Sequence, residues 1–93
     1  MQIKSERVPH FSDMVKPGQF TFYSRSGVEG HAGLTFLCPC GCGAYAGVRF
    51  NSASEYGWNW DGNEELPTVT PSILRLDGCK WHGYLTAGFF VGC

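Results

Sequence analysis

Two cysteine-rich segments constrain this chain more than any other feature of its sequence. Residues 38–42 read CPCGC and residues 79–82 read CKWH, so three closely spaced thiols are followed, further along the chain, by a Cys-x-x-His pair. Together these segments offer more soft ligands than a tetrahedral Zn²⁺ needs. The sequence therefore predicts a chain built around a metal. The candidate ligands are Cys38, Cys40, Cys42, Cys79 and His82.

The spacing leaves open which thiols of the first segment bind the ion. Cys79 and His82 form the more specific pair, so two of the three thiols in residues 38–42 would complete the ligand set. A Cys-x-Cys pair can bind one ion, whereas a Cys-x-x-x-Cys pair has a wider bite. The remaining thiol would then hydrogen-bond a ligand sulfur. Cys93 lies outside both segments and is interpreted as a small buried hydrophobe.

Length and cysteine usage both favour a metal over disulfides. The 93 residues are predicted to form one domain, 1–93, with an irregular N-terminal segment at 1–17, and a core of this size gives limited stability by itself.

No stretch approaches the roughly 20 apolar residues that span a bilayer, and no apolar signal region follows Met1. We therefore expect a cytoplasmic protein without membrane contact. In that reducing compartment, an odd count of five cysteines fits metal binding better than disulfides.

The charge balance argues against one class of partner. The formal net charge is −1, and no run of Lys or Arg marks a phosphate-tracking face. Non-specific nucleic-acid binding is therefore not expected.

The hydrophobic pattern predicts a mainly β fold. Residues 18–24 alternate apolar and polar side chains with the period of a half-buried strand. Strands at 34–37 and 44–50 would place the first cysteine segment at a hairpin tip, where Gly41 and Gly43 can turn backbone amides toward the thiolates. Further strands are predicted within residues 1–8, 72–76 and 84–91, the last broken at Gly88. We expect a small single domain of five to seven short antiparallel strands with two metal-binding loops, as in zinc ribbons or Rieske domains.

Iron is the alternative to zinc. Rieske proteins hold a [2Fe–2S] cluster with a Cys-x-His loop and a Cys-x-x-His loop, each following a strand. Residues 79–84 resemble the second Rieske loop, including the glycine after the histidine. The first loop departs from that pattern because Cys40 stands where the histidine would be. A Cys₃His ligand set suits Zn²⁺ at least as well.

Four ordered motifs carry a family resemblance. They are FLCPCGCG at 36–43, WNWDGN at 58–63, PTVTPSI at 67–73 and CKWHGY at 79–84. In these motifs the chain resembles a family of small bacterial and phage or prophage proteins of unknown function, some labelled "ammonia monooxygenase". The resemblance implies a small metal-binding domain, often phage-encoded. It does not imply the labelled chemistry, because true ammonia monooxygenase is a membrane copper enzyme and a thiol-rich site suits Zn²⁺.

The residues favour a structural metal over a catalytic one. A hydrolytic zinc keeps an open position with at most three protein ligands, whereas four soft ligands close the site. No Ser-His-Asp order, phosphate loop or deaminase box is present, so no catalytic residue is assigned. Ordinary solvated surface roles are given to the remaining acidic and histidine candidates, which are Asp61, Glu64, Glu65, His10 and His31.

These points predict a small zinc-binding protein with a structural zinc and a protein-binding or inhibitory role. Its partner would be a host or phage protein, contacted through aromatic side chains. The candidate anchors are Tyr23, Tyr45, Tyr56, Trp58 and Trp81. Two other functions stay open: a Rieske-like iron–sulfur electron-transfer protein and a small metal-dependent enzyme.

Overall fold

The computed structural model describes residues 2–53, 55–74 and 79–92, and this part of the chain is all-β. Its nine strands are β1 (Gln2–Lys4), β2 (Glu6–Arg7), β3 (Gln19–Tyr23), β4 (Gly33–Leu37), β5 (Tyr45–Arg49), β6 (Asn59–Trp60), β7 (Val69–Leu74), β8 (His82–Thr86) and β9 (Phe89–Gly92). A short 3-10 turn, Phe11–Asp13, is the one helical element among these residues. The predicted fold class is confirmed.

The nine described strands outnumber the five to seven predicted because two predicted strands are each divided and the short strand β6 is an addition. The segment 1–8 forms β1 and β2, which belong to different sheets, and Ser5 between them is buried. The amide and hydroxyl of Ser5 both donate to the carbonyl of Gly88, at 2.8 and 2.7 Å. The segment 84–91 is divided where Ala87 and Gly88 take positive φ values of 48° and 80° and reverse the chain.

The strands form two sheets with a shared core. One sheet has the order β2-β3-β4-β5 and the other β1-β9-β8-β7-β6. Their pairings are antiparallel apart from β2 with β3, which is parallel. Buried side chains from both sheets make one cluster: Phe20, Leu34, Phe36, Cys38, Val48, Phe50, Val69, Ile73, Trp81, Leu85 and Phe90. The sheets therefore bury their facing sides against each other, as period-two alternation requires.

Trp81 belongs to this core and not to a protein-binding surface. Its indole is 8% exposed and lies edge-on to Phe36 and Phe90, with ring centroids 6.4 and 6.0 Å away. A Cβ on Gly83 would lie 2.7 Å from the Trp81 ring and 2.3 Å from the carbonyl oxygen of Val91. The glycine that follows His82 therefore has a packing reason, since only a residue without a side chain lets the indole cross this strand.

Two connections carry the cysteine segments to the same place. The β4–β5 hairpin holds residues 38–43 at its tip, as predicted, and Cys79 lies in the turn before β8. Gly41 and Gly43 have the predicted positive φ values, 90° and 84°. Residues 75–78, which include the end of a predicted strand, and Cys93 lie outside the described residues. Among the described residues, no helix is long and apolar enough to cross a membrane.

Candidate functional site

Four of the five predicted metal ligands come together at one end of the fold. The sulfurs of Cys38, Cys40, Cys42 and Cys79 all lie within 4.8 Å of one another, and we call these residues the thiol cluster. The Cys38 sulfur is 3.3 Å from that of Cys40 and 3.4 Å from that of Cys79. Cys38 is buried, and the other three are exposed. This group could hold a metal ion, whose identity the geometry of the cluster does not name.

Local backbone structure brings the four sulfurs close to one another. At the hairpin tip, the Cys38 amide donates to the carbonyl of Ala44 at 2.9 Å, and the Gly41 amide donates to the carbonyl of Cys38 at 3.2 Å. In the second segment, Lys80 takes a positive φ of 53°, which turns the chain sharply after Cys79. These are knuckle-like turns, in which short loops present thiols and amides to one point.

Hydrogen bonding divides the thiols into proton donors and acceptors. The pKa of Cys79 is lowered to about 6, first by the hydrogen bond from the Cys40 side chain and then by the Trp81 backbone amide. The pKa of Cys40 is raised to about 12, chiefly by its bond with Cys79. The pKa of Cys42 is lowered, mainly by the backbone amide of Ala44. Hydrogen bonding thus favours the thiolate at Cys79 and Cys42 and the protonated thiol at Cys40. Thiolate is the form in which cysteine binds metals.

His82, the fifth predicted ligand, contacts a serine. Its Nε2 lies 3.0 Å from the Oγ of Ser72, and it is not part of the thiol cluster. A neutral imidazole accepts a proton at this nitrogen if its other nitrogen carries the hydrogen. Among the residues that the structure describes, no carboxylate contacts the His82 ring. The arrangement is a serine–histidine pair on a solvent-facing surface.

The β7–β8 register produces this pair. Ile73 is opposite Gly83 and Leu74 is opposite His82, so Ser72 and His82 lie diagonally across the two strands on one face. The register is irregular between Val69 and Ile73, immediately before and around Ser72. Such bulges often re-aim a side chain next to a functional site.

A cleft of about 300 Å³ lies against Trp58, a neighbour of the serine. It is lined by Tyr23, Gly47, Arg49, Tyr56, Gly57 and Trp58. The indole Nε1 of Trp58 donates to the carbonyl oxygen of Ser72 at 3.2 Å. One side chain therefore joins the wall of the cleft to the backbone of the serine.

His31, predicted to be a solvated surface side chain, instead has an acidic partner, whereas Glu64 is exposed as predicted. His31 is half-buried, stacks on Phe22 at 4.2 Å between centroids, and contacts the Glu64 carboxylate through Nε2 at 2.5 Å. Arg7 lies over the same Phe22 ring and within 3.7 Å of Glu64 and 3.5 Å of Glu65. These contacts hold the loop before β7 against the four-stranded sheet. The sequence did not predict them because the partners are far apart along the chain.

Comparison with known protein families places the chain. A family model described as "Bacterial ubiquitination-like system serine protease (BubE)" matches residues 5–93. The chain belongs to the BubE family. The comparisons with curated proteins and with solved structures each gave no match. This is therefore a small protein of a bacterial family, with a cysteine cluster that could bind a metal.

Ser72 is the residue of this candidate site that the sequence did not single out. It was inside a motif, residues 67–73, but no serine–histidine order singled it out. The usable signal was its separation of ten residues from His82, which suits two strands of one hairpin. Without the register, that separation does not distinguish Ser72 from nearby hydroxyl side chains.

Proposed function

We propose that this chain is a serine protease of a bacterial ubiquitination-like system, with Ser72 as nucleophile and His82 as general base. The observation that carries the proposal is the 3.0 Å contact between Ser72 Oγ and His82 Nε2 in a chain of the BubE family. A nucleophile within hydrogen-bond distance of its base is the arrangement that activates serine. The proposal departs from the sequence-based preference for a non-catalytic role.

The proposed reaction proceeds by acyl transfer. Ser72 Oγ attacks the scissile carbonyl carbon while its proton passes to His82 Nε2. As the C–N bond breaks, His82 returns that proton to the leaving amine, and the acyl group stays on Ser72 as an ester. Water then attacks the ester, gives a proton to His82, and releases the carboxyl product while Ser72 regains its proton. A bond to a ubiquitin-like modifier is the substrate class that we propose.

We also propose that the thiol cluster binds one structural Zn²⁺. At Zn–S bonds of about 2.3 Å, tetrahedral geometry separates sulfurs by about 3.8 Å, and the four sulfurs lie within 4.8 Å of one another. This spacing favours a single ion over a [2Fe–2S] cluster, whose two irons would spread the sulfurs further. Four thiolates close the coordination sphere, so the ion would contribute stability and leave the chemistry to Ser72.

The metal would position the catalytic pair as well as the fold. Cys79 lies in the turn immediately before β8, and His82 is the first residue of that strand. An ion shared between Cys79 and the β4–β5 hairpin would fix where β8 begins. A cytoplasmic location and a phage or prophage origin remain proposals, the second implied by the motif resemblance.

Substitution of the nucleophile tests the function. On a fusion of a bacterial ubiquitin-like modifier with a reporter domain, we expect cleavage at the junction by the unaltered protein. Ser72→Ala should slow it at least about 10³-fold, because no other group replaces the attacking oxygen. The measurement is the initial rate by gel densitometry. Ser52→Ala, at an exposed turn, is the matched control and should cleave normally. Cleavage by Ser72→Ala at the unaltered rate would refute this nucleophile.

A further inference from the structure

The cleft lined by Trp58 contains a cation that has no acidic partner among the described residues. Arg49 lies in its lining and is exposed. Among the residues that the structure describes, the ion pairs involve Arg7 and His31, and no carboxylate lies within 4.0 Å of the Arg49 guanidinium. A guanidinium presents a planar fork of donors that matches a carboxylate. The charge therefore favours an acidic ligand group.

The edge of β5 beside this cleft can accept another strand. β5 is the last strand of its sheet. The Ala44 carbonyl and the Phe50 amide form hydrogen bonds toward β4. Since the backbone groups of successive residues in a strand point in alternate directions, those of Gly47 and Arg49 point away from β4. The Arg49 carbonyl already accepts a bond from the Trp58 amide at 2.7 Å. An extended peptide could pair with the rest of this edge, as in β-strand addition.

Gly47 leaves room for such a peptide. A Cβ at this position would meet nothing nearer than the Leu34 carbonyl oxygen at 3.8 Å, an ordinary contact. The fold itself therefore does not require glycine here. Gly57, by contrast, would bring a Cβ within 2.4 Å of the Phe50 backbone. A side chain added at position 47 would instead occupy the cleft.

We infer that this cleft binds an extended segment of the peptide substrate and that Arg49 selects an acidic side chain in that segment. The inference rests on the proposed function and names part of its substrate specificity. Trp58 is the connection, because it lines the cleft and holds the Ser72 carbonyl. A segment bound in the cleft would contact the same residue that holds the backbone of Ser72. The ligand class is therefore an extended peptide with Asp or Glu near the scissile bond.

Binding to the Ser72→Ala protein tests the inference without requiring cleavage. The probes are two pools of peptides that are identical except at one position, which is moved along the peptide and carries Glu in one pool and Gln in the other. Each peptide is titrated into the protein, and binding is measured by the change in intrinsic tryptophan fluorescence. We expect one position at which Glu binds about tenfold more tightly than Gln, as a charge-assisted hydrogen bond provides. Arg49→Gln should abolish that preference and Arg49→Glu should reverse it. Gly47→Leu should weaken binding of both pools about tenfold, since its side chain fills the cleft.

Arg25→Gln is the matched control, because Arg25 is also exposed but lies in the turn between β3 and β4. It should keep the Glu preference. Equal binding of the two pools, or a preference that survives Arg49→Gln, would overturn the inference. Failure of the proposed function has a different signature: a serine-directed fluorophosphonate would not label Ser72 in the unaltered protein, whatever the peptide binding. If Ser72 is labelled and Glu is not preferred, the cleft inference alone fails.

Discussion

Removing the metal is expected to unfold this domain. The two turns that carry the thiol cluster come from different sheets, and the shared ion would join them. Structural Zn²⁺ contributes on the order of 10 kcal/mol in small zinc domains, which is comparable to the whole stability of a natural domain. Incubation with a strong chelator should therefore abolish the β-type circular dichroism and the thermal transition. Adding one equivalent of Zn²⁺ should restore both.

Cysteine substitutions separate this effect from general thiol chemistry. Cys79→Ser should give protein that is insoluble or rapidly digested, since one ligand is lost and three thiolates are left facing each other. Cys93→Ser removes a thiol outside both cysteine segments and serves as the matched control. A Cys79→Ser protein with unchanged metal content and melting temperature would contradict a structural role for the ion.

Replacing His82 should have the opposite pattern of effects. If His82 is the general base, His82→Ala should lower kcat for fusion cleavage by about 10³-fold or more, with smaller changes in KM, because proton transfer is lost while substrate contacts remain. The zinc content should stay at one per chain, and the melting temperature should change little, since His82 is exposed. The measurements are steady-state kinetics, metal analysis and thermal denaturation on the same preparation.

His10→Ala is the control, because His10 is also exposed and lies before the 3-10 turn. It should leave all three measurements unchanged. Loss of zinc and of folding in His82→Ala would restore the sequence-based assignment of His82 as a metal ligand. That result would also remove the base from the proposed mechanism.

Much of the fold was accessible from the sequence because the β4–β5 hairpin is signalled locally. Strand-like residues flank the CPCGC segment, and Gly41 and Gly43 adopt the left-handed conformation that the turn requires. Other features depend on contacts between distant segments. Ser5 bonding to Gly88, and His31 contacting Glu64, join parts of the chain that no local pattern relates.

The ligand set that we propose, which omits His82, was harder to predict because Cys79 and His82 are close in sequence but have different surroundings. Cys79 is in a turn, and Lys80 reverses the chain after it. Trp81 then points into the core, so the next residue in a pleated strand, His82, points outward. A Cys-x-x-His spacing suits one ion only when a loop carries both residues. Here the strand begins at the histidine and gives it a serine as neighbour.

The most direct test of the central claim is to map where a fluorophosphonate reacts. Such probes phosphonylate a serine that a neighbouring base has activated. After reaction of the zinc-loaded protein and peptide mass spectrometry, we predict one adduct, on Ser72. His82→Ala should prevent it without loss of zinc. An adduct on another serine, or none on Ser72 in folded protein that cleaves the modifier fusion, would contradict the assignment of Ser72 and His82 as nucleophile and base.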